Sequence, residues 1–148
     1  MRIRIIITLI LLAHAAAASP LTIPSHSNLL ENADVVIIGH FMKTDETEIH
    51  SKISSLDAVA VWSDFQVTAF LKGYSSKQVA TVMHYKPLPP ASGFWPIQMT
   101  SGPRFSFVSF IKSYQHYLIY LKSDGNKRYL PVTGAEDPEY SFWKLSSK

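Results

Sequence analysis

The stretch ADVVIIGHF, residues 33–41, is apolar on both of its faces. Successive side chains of a strand point to opposite sides, so this strand has no side to give to water. It must be covered twice, between two layers or inside a closed barrel. Gly39 within it marks a bend or a close backbone approach. The rest of the chain supplies further strands. From Phe65 the alternation is clean: Phe65, Val67, Ala69 and Leu71 point one way, and Gln66, Thr68 and Lys72 the other. Phe70 is the exception. GYSSK (73–77) reads as a turn and QVATVMHYK (78–86) as the returning arm of a hairpin.

YLIYLKSDGNKRYLPVTG, residues 117–134, reads as two more strands. Tyr117, Ile119 and Leu121 form one face, Leu118 and Tyr120 the other, and Asp124-Gly125 lies in the turn. Residues 43–55 are polar and mixed in charge, as expected of an exposed loop or a loosely paired hairpin. Asn28 and Glu31 stand at capping-box spacing, which predicts one helical turn over 29–33. Asp137 and Pro138 predict a short terminal helix with an edge strand close behind. RFSFVSF (104–110) alternates as a strand does. Together these signals predict an all-β domain. A small Greek-key barrel of the oligonucleotide/oligosaccharide-binding (OB) type, with five to six strands and short terminal helical segments, accounts for the strand with two apolar faces. A two-sheet β-sandwich is the alternative.

Residues 1–18 read as a signal peptide: Arg2 and Arg4, the apolar run IIITLILLA, then Ala16 and Ala18 before Ser19. The run is about half of the roughly 20 residues that span a bilayer, so no membrane span is expected in the mature chain. Residues 19–28 read as a flexible leader and 29–148 as one domain. Export near Ala18 implies a secreted or periplasmic protein. With no cysteine, its core alone must hold it. Loss of Arg2 and Arg4 leaves 12 basic against 11 acidic residues, which gives no support to nucleic-acid binding.

Four segments, ADVVIIG (33–39), FQVTAFLKG (65–73), VMHY (82–85) and the 117–134 hairpin, resemble a known family in order and spacing. These are small exported bacterial proteins of unknown function, related to the barrel of tissue inhibitors of metalloproteinases and netrin-like modules. The resemblance implies an OB-like barrel. It does not transfer the inhibitory mechanism, because those inhibitors place a disulfide-held N-terminal cysteine on the catalytic zinc and this chain has none.

Nothing in the sequence signals an enzyme. No serine lies in a G-x-S-x-G elbow, and the acids cluster in Asp45-Glu46-Glu48 and Glu136-Asp137-Glu139, both in expected loops. The histidines lack metal-motif spacing; His40, His84 and His116 lie on or beside three strands and would form a metal site only if the fold brought them together. Residues 87–103 hold five of the nine prolines and carry Phe94 and Trp95 side by side. Aromatic rings on a stiffened loop make good binding anchors. The sequence therefore points to a non-enzymatic binding module without a cofactor. Its expected partner is a protein or a glycan, met through Phe94, Trp95 and Tyr85. The competing expectation is a metal-binding protein using the three strand histidines.

Overall fold

The structure is a computed structural model that describes residues 23–53, 56–90, 110, 115–126 and 128–145. The expected signal peptide, the strand over 104–109, and Phe94 and Trp95 lie outside the described residues.

The chain enters as α1 (His26–Asn32) and continues into β1 (Val35–Ile53), β2 (Leu56–Lys72) and β3 (Val79–Pro87). It resumes with β4 (His116–Ser123), β5 (Tyr129–Pro131), a 3-10 turn over Glu139–Ser141, and β6 (Phe142–Lys144). The strands follow the order β1-β2-β3-β5-β4, and β4 pairs back onto β1. That return closes a ring. Among the described residues the one parallel contact, Val82 opposite Tyr129, joins β3 to β5, and the other pairings are antiparallel. β6 lies on the same edge of β4 as β5, further toward the start of β4. The molecule is thus an all-β small barrel with Greek-key connections. Ring closure removes the open sandwich.

The two apolar faces of β1 find two covers. Val35, Ile37 and Phe41 face the barrel interior with Phe65, Ala80, Val82, Tyr117, Ile119, Leu121 and Phe142. Phe65 is the hub, fully buried and in ring contact with Phe41, Phe110, Tyr117 and Phe142. On the outer face, Val36 and Tyr120 are covered by Leu29 and Ala33 from the α1 segment, with Leu118, Val132 and Trp143 beside them. Burying each such aliphatic chain stabilises the fold by about 1.5–3 kcal/mol.

Register shifts follow Val36, Ile38, Phe41 and Glu46, and each lets the long strand bend around the barrel. Gly39 sits at this bend. A Cβ there would stand 2.7 Å from the Gln66 carbonyl oxygen, closer than real atoms approach. Gly73 is doubly required, by its φ of 70° and by the Asp34 carbonyl 2.7 Å from where a Cβ would stand.

One open expectation is settled and three need correction. Residues 43–53 take the hairpin alternative and not the loop: they are the second half of β1, paired antiparallel with β2 as far as Ile53 opposite Leu56. Leu71 does not follow Phe65 inward; extra residues at Thr68 and Leu71 shift the register, so Phe70 packs on the core and Leu71 is 58 % exposed. The helix starts earlier than its capping box suggests, because the Ser25 hydroxyl accepts from the Asn28 N–H (3.2 Å), and the end of the expected leader is helical. At the far end only the single 3-10 turn forms. Its cap residue is Pro138, without a side-chain hydrogen bond, before the chain extends into β6.

Candidate functional site

The histidines are separated by strand parity. Position 84 shares the inward parity of Ala80 and Val82, and the His84 ring is buried among Phe110 and Phe142. His40 and His116 share the parity of Val36 and Tyr120 and lie on the outer face, directly opposite each other on β1 and β4. The three-histidine centre therefore does not form: a barrel wall stands between its members. Among the described residues no three histidine, cysteine or acidic side chains gather as a metal would require.

His84 instead belongs to a polar relay that runs from the buried interior to the exposed Thr44. Its Nε2 lies 2.9 Å from the Ser63 hydroxyl, which lies 2.8 Å from the Thr44 hydroxyl. The arrangement superficially suits nucleophilic catalysis, with a serine in reach of an imidazole. Solvent access argues otherwise, since Ser63 is 0 % and His84 2 % exposed. Desolvation lowers the His84 pKa from 6.5 to about 4, so the ring is neutral at neutral pH. Such a relay satisfies its members and fixes the packing of β1, β2 and β3.

Tyr85, expected to meet a partner, is half-buried against Ile53 and Ala58, and its N–H donates to the Ala135 carbonyl at 2.9 Å. Its ring packs on that small cluster and stays partly exposed. Phe94 and Trp95 lie outside the described residues. At one end of the barrel Phe70, Val67, Tyr129 and Lys77 line a crevice too tight to admit even a water-sized group.

The face with the most available chemistry is the outer surface of β2 and β3. Two cross-strand rows run over it: Asp45, Trp62 and Met83, then Lys43, Asp64 and Thr81. The guanidinium carbon of Arg128 lies 4.4 Å from the centre of the Trp62 ring, within cation–π range. Arg128 comes from the turn between β4 and β5, which Asp124 shapes by accepting from the N–H groups of Asn126 and Arg128. Beside the ring, the Thr81 hydroxyl donates to Asp64 at 2.6 Å. Lys43 lies 3.8 Å from the same carboxylate and bonds Asp45, whose hydrogen bond and charge raise the lysine pKa.

Sequence reasoning missed Trp62 and Arg128. A signal for the first was present: carried back from Gln66, the polar parity of β2 places Trp62 on the side of Asp64, a large aromatic among polar neighbours. Arg128 left no such trace, because only the ring closure brings the β4–β5 turn to β2.

The sequence matches no protein-family model, and no curated protein resembles it significantly. Among the described residues no helix is long and apolar enough to cross a membrane.

Proposed function

We propose that the protein is an exported, non-enzymatic binding module that holds a glycan on the outer face of β2 and β3. The observation that carries this reading is the Trp62–Arg128 pair. The half-buried indole is an apolar surface for the C–H face of a sugar ring, which would pack beside or in place of the Arg128 guanidinium that lies over it. Arg128, Asp64, Thr81 and Asp45 surround it with donors and acceptors suited to hydroxyl groups. In barrels of the OB type, the face of strands 2 and 3 and the loop between strands 4 and 5 commonly bind oligosaccharides and oligonucleotides; that analogy supports the placement. The near-zero mature charge favours the neutral ligand of the two.

Phe94 and Trp95 remain proposed anchors on the strength of their Pro-rich setting. The export route, with cleavage near Ala18 and a secreted or periplasmic destination, and the kinship to the inhibitor and netrin barrels belong to the same proposal. The sealed state of Ser63 and His84 supports a role without catalysis.

Titration of the protein against a panel of soluble oligosaccharides tests the reading. Trp62→Ala is expected to weaken binding by about 2 kcal/mol or more, the scale of an interface hot spot, with the far-UV spectrum unchanged. Retained affinity in that variant would remove the face from consideration. Binding lost only in Trp95→Ala would move the site to the Pro-rich segment.

A further inference from the structure

Further along the outer wall, one cross-strand row from Lys43, Asp64 and Thr81, β1 and β4 place two imidazoles against each other. His40 and His116 are cross-strand partners on the outer face, both partly exposed, with ring centres 5.8 Å apart and planes at 72°. Among the described residues neither ring has a hydrogen-bond partner, in contrast to His26, which meets the Tyr120 hydroxyl, and His84, which meets Ser63. From the paired register, we infer that His40 and His116 form a two-histidine chelate site for a divalent transition-metal ion on the barrel wall.

Geometry and ligand chemistry carry the inference. Metal–imidazole bonds of about 2.0–2.1 Å put two chelating rings roughly 4.5–5.2 Å apart, centre to centre. Rotation of each ring by well under about 1 Å closes the observed gap, and cross-strand pairing already fixes both Cα atoms. Preorganisation of this kind lowers the entropic cost of chelation relative to two independent surface histidines. Imidazole suits copper, zinc and nickel, and the order of affinities places Cu²⁺ first among them. Two protein ligands leave the remaining positions to water or to donors from outside the chain. The site shares an outer wall with the β2–β3 face, since His40 also pairs with Gln66, one row from Asp64, but it uses none of the residues proposed there.

The test uses the full chain in a non-coordinating buffer. Zn²⁺ is titrated while the imidazole nitrogen resonances are followed, and Cu²⁺ is titrated in parallel by calorimetry. One equivalent of Zn²⁺ is expected to shift the ring signals of His40 and His116 together. Either His40→Gln or His116→Gln should then raise the Cu²⁺ dissociation constant by at least about tenfold, the low end of what loss of a supporting group alone costs. His50→Gln, on the exposed arm of β1, should leave it unchanged. Glutamine keeps a polar side chain at each position, and the unfolding midpoint verifies that each variant folds. The site is overturned if the two rings respond at different stoichiometries, if each substitution removes only its own signal, or if neither ring responds to metal.

Discussion

The two halves of β1 are one continuous strand and follow opposite rules. Its first half, through Phe41, runs between β2 and β4 and carries apolar residues on both sides, with His40 the one exception on the outer face. Its second half pairs with β2 alone and carries Lys43, Asp45, Glu46, Glu48 and Lys52 on largely exposed backbone. Burial holds the first. The second is held by continuity with its hairpin and by side-chain ties: the Thr47 hydroxyl to the Ala60 carbonyl, Thr44 to Ser63, and Glu46 to Lys86. A strand can thus be imposed by its partner as firmly as by its own hydrophobicity. Charges along the second half also discourage pairing with another chain.

Removing the hub of the barrel should widen this contrast most. Phe65→Ala is expected to cost about 3–5 kcal/mol, read as a lower denaturant midpoint. Ile49→Ala, at a position 58 % exposed on the second half, serves as its counterpart. Equal losses in the two variants would erase the distinction.

Acid should act next, through the relay that ties the second half of β1 to β2 and β3. His84 titrates near 6.5 when unfolded and at about 4 in the fold, because burial disfavours the charged ring. Above pH 6.5 both states are neutral there and the stability is fully present. Between about 6.5 and 4 the unfolded chain takes up a proton that the fold refuses, so stability falls with pH and levels off below. The whole drop is on the order of 3 kcal/mol. Urea midpoints at several pH values check it, and His84→Gln should flatten the profile. An unchanged slope in that variant would assign the acid sensitivity to other groups.

Gly39→Ala follows, at about 1–3 kcal/mol, since the added methyl meets the Gln66 carbonyl and one of two backbones must move. The smallest effect belongs to the exposed ion pair of the second half. Lys86→Gln should cost under about 1 kcal/mol, and less at high salt. A larger loss would mean that this pair, and not the hairpin, holds β1 across β2 to β3.

Burial and turn chemistry were legible in the sequence, and register was not. The faces of β4, the Asp124-Gly125 turn and the doubly covered strand all follow from residue patterns, and the structure has them. The inward placement of Phe70 depends on bulges, which leave no mark in composition. The second half of β1 could be read as a loop as well as a hairpin because its partner, not its own residues, makes it a strand. At the proposed binding face, Trp62 was open to discovery by parity, whereas Arg128 needed the closed ring. His40 and His116 were visible as candidates; that His84 could not join them depended on the side of the wall each strand presents.

The contact between α1 and β6 has a consequence for engineering. The rings of His26 and Trp143 meet with centres 4.2 Å apart and planes tilted by 46°, although they lie near opposite ends of the described chain. The first and last described elements therefore meet at one seam, on the outside of a ring that β1 and β4 already close. A short linker across that seam would permit circular permutation or insertion of the barrel into a host loop.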